Sequence, residues 1–352
     1  MKTFKSALLA TLACFFGVGA ASATEKIRIG APNPWQPYTS ALIFGKKLGF
    51  FEEEQLDPEF VAVQGTAILV PQVANKTITF GLPNPDLLLV ALDKNERFPV
   101  KLFYNAYTIS PFEFVVREDS PINSIADLKG KKLGVGALSW GNIPILKSIM
   151  KDSGVEWMKD VAVMPVGLGP AAWRQLSSGQ VEALSLFAHQ HESMALAGTK
   201  IKRLPIPEKY KSLFSNGLIA HDDTIAQKPQ LVEKMARVMA KSNFACRANL
   251  EGCVRAFWDY DSAAKPTAEK EAGYIASNVQ LTKLDMDIVF GGAKEDRFGD
   301  YEPGAIKNLI DVMHQSGQLK RGDLNPDLFI TREFVEGANR WDRTDVLRKA
   351  AK

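Results

Sequence analysis

The stretch FVVREDSPINSIADLKGKKLGV, Phe114–Val135, starts a second strand–helix–strand series within a single chain. Its apolar beginning, followed by the charged RED, predicts the end of a strand. The segment SIADL predicts a short helix, KGKK a basic turn, and LGV the next strand. Because a similar series precedes this stretch, the chain is expected to build two α/β units in succession.

The residues on either side extend the same alternation. Upstream, the predicted elements are strand 25–33, helix 41–51, strand 58–65, helix 67–75, strand 77–85, helix 86–92 and strand 99–107. Downstream they are helix 143–153, strand 161–167, helix 171–179 and strand 181–188, before a largely helical tail from Pro229. Such alternation predicts mostly parallel sheets covered by helices. Open sheets of this kind bind ligands beyond the carboxyl ends of their strands.

The first residues have the pattern of a secretory signal peptide. Lys2 and Lys5 form a basic start, Leu8–Val18 is an apolar run, and Ala21–Ala23 is a small-residue cleavage site. We therefore expect the mature chain to begin at Thr24. The apolar run is too short to span a bilayer, and no other segment has about twenty consecutive apolar residues, so the mature protein is expected to be soluble.

Composition limits the partners of the chain. It has 352 residues, 46% hydrophobic and 24% charged, with a formal net charge of only +3. This length allows two ordinary domains, each with a substantial core. A nearly balanced charge gives no electrostatic reason to expect nucleic acid or an anionic membrane surface as a partner.

Several stretches in their order along the chain resemble one family. The opening stretch resembles the segment that begins the second lobe of periplasmic substrate-binding proteins of ABC importers, in the SsuA/THI5-like branch for nitrate, taurine, sulfonates and thiamine precursors. Leu42–Val61, Leu176–Phe187 and Ala245–Asp259 are similar to three further segments of that family. The chain departs from the family pattern at Glu182, where Asp is commoner, and at Leu250, where Pro is usual.

The resemblance implies a type II periplasmic-binding fold of the α/β class, with two α/β lobes, a ligand cleft between them and a helical C-terminal tail. It implies that the chain crosses between lobes near 112–115 and 215–219, and that the lobes close on the ligand by a hinge motion. The expected division is signal peptide 1–23, first part of lobe 1 24–112, lobe 2 113–216, and return to lobe 1 with C-terminal helices 217–352.

The stretch GVGALSWGNIP, 134–144, has two competing interpretations. Ser139 follows a predicted strand and precedes a helix, as in the G-x-S-x-G elbow of hydrolases, and all four histidines follow it. However, Ala137 replaces the first Gly, and no HGGG-type oxyanion segment precedes it. A secreted serine hydrolase therefore remains the alternative. The favoured hypothesis is ligand contact by Ser139, Trp140 or Asn142 at a helix N-terminus, with simple helix capping by Ser139 as the structural explanation.

Other candidate ligand-binding residues also follow predicted strands. Aromatic rings, amide side chains and exposed backbone amides at strand ends suit a flat ligand. Trp35, Gln36 and Tyr38 could instead form a loop packed on the sheet edge, and Asp86 could instead cap a helix. The predicted ligand-binding set is Trp35, Gln36, Tyr38, Gln64, Gly65, Thr66, Asn84, Asp86, Ser139, Trp140, Asn142, Trp173 and His189.

A metal or cofactor site is not expected. His189 and His191 on one side of a strand, with Glu192, have some resemblance to metal ligands, but no third strong ligand cluster is visible. His189 or Gln190 is instead expected to face the cleft, and His191 to lie on the surface. The glycines of GVGALS do not complete a dinucleotide fingerprint, because Ser139 occupies the place of the third glycine.

Two cysteines, Cys246 and Cys253, remain after removal of the signal peptide. Export to an oxidising compartment makes a disulfide between them plausible. A turn near Asn249 or Gly252 would bring the sulfurs together, whereas a continuous helix would hold them about 10 Å apart along its axis. The disulfide and a pair of buried thiols both remain open at this point.

These observations predict a periplasmic solute-binding protein that captures a small organic molecule and delivers it to an ABC-type permease in the inner membrane. The ligand is expected to be a sulfonate, a carboxylate or an aromatic or pyrimidine compound, and the protein is expected to be a monomer without catalytic residues. A periplasmic solute sensor for a membrane receptor is a further alternative. The family also includes proteins that synthesise the thiamine pyrimidine, but the predicted signal peptide argues against that role.

Overall fold

The computed structural model describes residues 24–294 and 296–352, so the predicted signal peptide, 1–23, lies outside the described residues. Within them the chain forms two five-stranded sheets covered by helices, and a helical C-terminal region. The predicted two-lobed α/β architecture is therefore confirmed. The first lobe consists of the sheet that contains the N-terminal strand and of the helices that cover this sheet. The second lobe consists of the other sheet and its helices.

The elements follow one another in this order within the described residues. The strands are β1 Glu25–Ala31, β2 Leu56–Ala62, β3 Phe80–Gly81, β4 Val100–Asn105, β5 Phe112–Arg117, β6 Lys132–Val135, β7 Ala162–Pro165, β8 Ala183–Phe187, β9 Ile201–Leu204 and β10 Gly217–His221. The helices are α1 Ala41–Lys47, α2 Phe50–Glu53, α3 Thr66–Ala74, α4 Asp86–Asp93, α5 Ile143–Asp152, α6 Pro170–Ser177, α7 Ala188–Leu196, α8 Glu208–Lys211, α9 Asp222–Gln227, α10 Pro229–Ala248, α11 Leu250–Tyr260, α12 Ala268–Phe290, α13 Ala305–Gln315, α14 Val335–Ala338 and α15 Arg343–Ala350. Short 3₁₀ turns occupy Pro37–Thr39, Ile125–Leu128, Ser262–Ala264 and Pro326–Leu328.

Both sheets are mixed, which corrects the expectation of mostly parallel sheets. The first sheet has the order β2-β1-β3-β10-β4, and β10 runs antiparallel to both of its neighbours. The second has the order β7-β6-β8-β5-β9, and β5 runs antiparallel to β8 and β9. Each of these strands is the first one after the chain enters a sheet from the other lobe. A strand entered in this way is not joined to its neighbour by the βαβ crossover that makes strands parallel.

Two segments, 106–111 and 205–216, carry the chain between the sheets. They lie side by side, because the amides of Ala106 and Tyr107 donate to the carbonyl oxygen of Asn216 at 3.1 and 2.9 Å. Paired connections of this kind form a hinge about which two lobes can open and close.

The helical tail packs on both lobes: α10 covers the first lobe, whereas α12 and α13 also contact α7 and α5 of the second lobe. Helix α10 packs against α1, α11, α14 and α15. Its apolar face, predicted at Leu231, Met235, Val238 and Met239, is buried, with at most 5% of any of these residues exposed. None of the helices in the described part of the chain combines the length and apolar composition needed to cross a bilayer.

A disulfide joins Cys246 and Cys253 in the tail. Helix α10 ends before Asn249, whose side chain accepts a hydrogen bond from the Gly252 amide at 2.8 Å and so caps α11. This break brings the two buried sulfurs together. The hydroxyl of Ser40 donates to the carbonyl oxygen of Cys253 at 2.7 Å, so the disulfide-linked pair of helices is tied to the start of α1.

Candidate functional site

A cavity of about 130 Å³ lies where the two lobes meet the crossing segments. The loop after β1, the first crossing, the junction of β8 with α7, and the tail helices α10 and α12 all contribute to its walls. The described residues that line it are Ala31, Pro32, Asn33, Pro34, Trp35, Gln36, Tyr38, Thr39, Ala41, Leu42, Leu82, Ala106, Tyr107, Pro111, Leu168, Phe187, His189, Gln190, Asn216, Met239, Asn243, Asp285 and Val289.

Four residues of the predicted ligand-binding set line this cavity: Trp35, Gln36, Tyr38 and His189. The first three lie in the segment that begins where β1 ends, and His189 lies two residues after the end of β8. The indole N–H of Trp35 donates to the carbonyl oxygen of Val61 at 3.3 Å, which fixes the ring against the end of β2. Their position follows from the general rule that ligands meet an open sheet at the carboxyl ends of its strands.

Aromatic rings form a continuous wall across the two lobes. Phe187 stacks on Trp140 with ring centres 4.7 Å apart, and lies nearly parallel to the His189 ring at 5.8 Å. The ring of Tyr38, from the first lobe, meets His189 edge-on at 5.1 Å. Trp140 supports this wall from behind and does not itself line the cavity. Such a wall offers ring faces and edges to a flat ligand.

Gln190 connects the lobes beside this wall. Its amide nitrogen donates to the Tyr38 hydroxyl at 2.5 Å, and its amide oxygen accepts from the backbone N–H of Gly169 at 2.9 Å. Burial raises the pKa of Tyr38, so this hydroxyl stays protonated at neutral pH. The proton of the Tyr38 hydroxyl is therefore available as a donor next to the cavity.

A buried carboxyl group comes from the tail helix α12. Asp285 is 3% exposed and accepts a hydrogen bond from the Tyr107 hydroxyl at 2.9 Å on its Oδ1 atom. The Nε2 atom of His189 lies 3.7 Å from the same oxygen, beyond hydrogen-bond distance. Burial raises the pKa of Asp285 to about 7, against the smaller lowering effect of the Tyr107 hydrogen bond. At neutral pH this carboxyl can therefore hold or release a proton.

The cavity carries little positive charge. No Lys or Arg occurs among the described residues that line it. His189 is the one basic side chain in that lining, and burial, assisted by the nearby His191, lowers the pKa of His189 to about 4. His189 is therefore neutral at neutral pH, and no lining side chain among the described residues supplies a positive charge there.

Ser139 connects the lobes by a pair of hydrogen bonds that we call the latch. Its hydroxyl donates to the carbonyl oxygen of Gln64 at 3.0 Å, and its own carbonyl oxygen accepts from the Ala67 amide at 3.2 Å. Gly65 lies between these two bonds, with a φ of +101° and no space for a side chain next to Ser139. The Ser139 hydroxyl thus forms a hydrogen bond to the other lobe. Because its partner is a backbone carbonyl, this bond does not activate Ser139 as a nucleophile.

The remaining predicted residues around α5 lie in the interface between lobes rather than in the cavity lining. Asp86 is buried, which raises its pKa well above the usual value, and its carboxyl group accepts from the Ile145 amide at the start of α5. Asn84 accepts from the Asp86 amide at 3.1 Å and donates to the Ser215 hydroxyl at 3.1 Å. Thr66 and Asn142 are also buried there, at 1% and 2% exposure.

In the second lobe, Trp173 and His191 lie in positions that differ from those expected. Trp173 lies in the first turn of α6 but does not line the cavity, and its buried indole N–H has no hydrogen-bond partner among the described residues. The prediction that His191 lies on the surface is wrong: it is fully buried, with Nδ1 3.2 Å from Glu113 Oε2. His189 and His191 lie on helix α7 rather than on a strand, so residues two apart point in different directions.

The described residues contain no group of three or more His, Cys, Asp or Glu side chains placed to hold a metal ion. His191, one of the two histidines with some resemblance to metal ligands, pairs with Glu113 instead. Neither residue lines the cavity.

The sequence interpretation missed Tyr107, Asp285, Asn216 and Asn243. Tyr107 and Asn216 lie in the crossing segments, whose contribution to a site depends on the tertiary fold. Asp285 had a detectable signal, because it lies on the face of α12 that also carries several buried apolar residues. An acid on an apolar helix face is unusual, because burying a carboxylate is unfavourable without a partner.

The chain belongs to the NMT1/THI5-like family, whose model matches residues 36–250, more than half of the chain. The family resemblance inferred from the sequence is therefore confirmed. Among curated proteins, the riboflavin-binding protein RibY of Chloroflexus aurantiacus is 24% identical over 250 residues, which cover 71% of this chain and 69% of RibY. A putative binding protein of Brucella abortus is 23% identical over 289 residues, which cover 78% of this chain and 84% of that protein.

Solved structures show the same fold. A protein from Bordetella bronchiseptica has a TM-score of 0.70 at 17% identity, covering 89% of this chain and 96% of that one. The alkanesulfonate-binding protein SsuA of Xanthomonas axonopodis bound to MOPS has a TM-score of 0.61 at 16% identity, covering 89% and 100%. The desulfurization enzyme DSZB has a TM-score of 0.53 at 15% identity, covering 89% and 98%. The matched proteins are mostly binding proteins, but the fold itself also supports an enzyme.

Replacing Gly65 by Ala should force the latch apart. A Cβ at this position would lie 2.8 Å from the carbonyl oxygen of Ser139 and closer still to its hydroxyl, and the backbone would be strained at its positive φ. We expect a loss of roughly 1–3 kcal/mol in the free energy of unfolding. An increase in the radius of gyration by small-angle X-ray scattering should accompany it as the lobes separate.

The matched control is Gly167→Ala. Gly167 also has a positive φ, +74°, but a Cβ there would meet no atom within 4 Å. The Gly167→Ala variant should therefore show the backbone strain but no increase in the radius of gyration. Equal effects of the two substitutions on both measurements would show that the latch does not hold the lobes together.

Asp285→Asn should alter how stability depends on pH. The folded carboxyl keeps its proton up to about pH 7, whereas the unfolded chain releases it near pH 4. The folded state then binds more protons between these values, so this group lowers wild-type stability as pH rises from about 4 to 7. Relative to wild type, the Asn variant should gain roughly 2–4 kcal/mol at pH 8 and much less at pH 4.

Urea denaturation of both proteins at pH 4 and pH 8 measures this difference. The titration of His189 has the opposite sign, since its pKa is lowered to about 4, and it is present in both proteins. A stability difference that is the same at the two pH values would contradict an elevated pKa at Asp285.

Proposed function

We propose that this NMT1/THI5-like protein is a periplasmic solute-binding protein that captures a small organic molecule between its lobes and delivers it to an ABC-type import permease. The observation that carries the proposal is the cavity bounded by residues of both lobes and placed beside two hydrogen-bonded crossing segments. A solute held there would make contacts to both lobes at once. It would therefore favour the closed form over the open one, which is how a ligand shifts such an equilibrium.

The chemistry of the cavity supports binding rather than catalysis. Its described lining contains no Ser, Cys or Lys side chain that could act as a nucleophile. The hydroxyl of Thr39 donates to the carbonyl oxygen of Gln36 at 3.3 Å. The Ser139 hydroxyl is bonded across the latch. These contacts favour a reversible binder over the secreted hydrolase.

The compared proteins support a binding role without selecting a ligand. RibY is named as a riboflavin-binding protein, and one structural neighbour as an alkanesulfonate-binding protein. The signal-peptide pattern over 1–23 supports a periplasmic location and delivery to an inner-membrane permease. We keep the lobe division 24–112, 113–216 and 217–352, and the monomeric state, as parts of this proposal.

A thermal-shift screen of the mature protein tests the proposal. The panel contains alkanesulfonates, aromatic carboxylates, pyrimidines, purines and flavins. A solute present at about 100 times its Kd should stabilise the folded protein by about 2.7 kcal/mol, and mass spectrometry should recover it chemically unchanged.

A blocked variant and a matched control show whether the solute occupies the cavity. Ala106→Leu adds three carbon atoms at a residue that lines the cavity, and should abolish the shift. Ala171→Leu makes the same change on the exposed side of α6, and should preserve it. A shift that survives in the Ala106 variant, or conversion of the solute, would contradict a binding role for this cavity.

A further inference from the structure

Helix α5 of the second lobe begins without a capping side chain of its own. The residue before it, Asn142, makes no side-chain capping hydrogen bond. The second residue of the helix, Pro144, has no N–H, and the Leu146 amide donates to the carbonyl oxygen of Asn142 at 3.0 Å. The Ile145 amide between them is a first-turn donor that needs an acceptor from outside the helix, as the first amides of helices generally do.

Asp86 of the first lobe supplies this acceptor. It is the first residue of α4, and its carboxyl group accepts a hydrogen bond from the Ile145 amide. We call this bond the cross-lobe cap. The Asp86 side chain is buried, with 1% of the residue exposed, and its Oδ2 atom has no hydrogen-bond partner among the described residues. Because donor and acceptor belong to different lobes, the cap requires the two lobes to lie together.

The Asp86 carboxyl group has a fixed position relative to the crossing segments. The Asn84 side chain accepts from the Asp86 amide at 3.1 Å and donates to the Ser215 hydroxyl at 3.1 Å. The Ser215 amide in turn donates to the carbonyl oxygen of Tyr107 at 2.9 Å, which joins the second crossing to the first. A hinge motion about these crossings therefore brings the start of α5 onto a carboxyl group that is already in place.

The ionisation of this carboxyl group is governed by burial. Burial raises the pKa of Asp86 well above its usual value, against the smaller lowering effects of the Ile145 amide and of its own amide. None of the other titratable residues of the two helices contributes to this shift; they are Asp93 on α4 and Lys147, Lys151 and Asp152 on α5. The buried polar residues beside the carboxyl group, Thr66, Asn84 and Asn142, are all neutral.

We propose that the cross-lobe cap is a proton-dependent switch: the Asp86 carboxyl group holds the lobes of the solute-free protein together by capping α5, and closure takes up one proton from the solvent. This inference rests on the proposed function, because it describes regulation of the same cleft. When the lobes separate, water reaches the carboxyl group and its pKa returns to about 4. As pH rises the carboxyl group ionises, and burial of a carboxylate without a cationic partner is unfavourable, so the open form gains.

The linkage fixes the direction of the pH dependence. Between about pH 4 and the raised pKa, the closed form carries a proton that the open form has released. The ratio of closed to open molecules should therefore fall by up to about tenfold for each unit of rising pH in this range. Below about pH 4 both forms are protonated, and this group contributes no pH dependence.

Small-angle X-ray scattering of the solute-free mature protein at pH 5 and pH 8 tests the inference. The radius of gyration of wild type should be larger at pH 8. Asp86→Asn retains an oxygen that can accept from the Ile145 amide but has no charge to bury, so its rise should be at most about half that of wild type. Glu96→Gln is the matched control: it removes one negative charge at an exposed position just after α4, and should keep the full rise.

Asp86→Ala provides a second variant, with circular dichroism to show that it is folded. It leaves the Ile145 amide without its acceptor in the closed form, so its radius of gyration at pH 5 should already exceed that of wild type. Asp285 and His189, whose pKa values are also shifted, are present in every protein compared. Differences between the variants and wild type therefore report on Asp86.

The results separate this inference from the proposed function. An unchanged radius of gyration for wild type between pH 5 and pH 8 would overturn the switch. Equal rises in wild type and Asp86→Asn would overturn it as well. None of these measurements contains a solute, so the thermal-shift panel with the blocked Ala106 variant decides independently whether the cavity binds one.

Discussion

The hydrogen-bonded pair of crossing segments is the constraint on which the rest of the structure depends. Because the chain passes between lobes at 106–111 and returns at 205–216, the two sheets must lie side by side. The bonds from Ala106 and Tyr107 to Asn216 hold the crossings together next to the cavity. The same crossings account for the direction of β5 and β10, which enter their sheets antiparallel to their neighbours. A cleft between lobes is the consequence of this connectivity.

Two polar side chains in the cleft form hydrogen bonds with the opposite lobe. Gln190 bonds to Tyr38 of the other lobe, and Ser139 bonds to the backbone at Gln64. Each such bond contributes only about 1 kcal/mol in net terms, but leaving a buried partner unpaired costs more. This asymmetry favours an arrangement that keeps these two cross-lobe bonds formed. Asp285 lines the cavity with its Oδ1 atom bonded to Tyr107, and the buried Nδ1 atom of His189 beside it has no hydrogen-bond partner among the described residues.

Local sequence signals predicted the parts of the fold and site that depend on local geometry. Trp35, Tyr38 and His189 were found because they follow predicted strands, and strand ends meet at one edge of a sheet. The antiparallel strands were missed because strand direction after a lobe crossing depends on tertiary structure. Ser139 lies at the predicted strand–helix junction, but its hydrogen bonds go to the opposite lobe. Asp285 was detectable as an acid on an apolar helix face, but its place in the cavity depends on the folded tail.

A crystal structure of the mature protein with its tightest-binding solute is the most direct test of binding between the lobes. The solute should lie enclosed in the cavity, in contact with Tyr38 from the loop after β1 and His189 from α7. A solute on the outer surface of one lobe, with the cavity unoccupied and the latch between Ser139 and Gln64 unchanged, would contradict the proposed mode of capture.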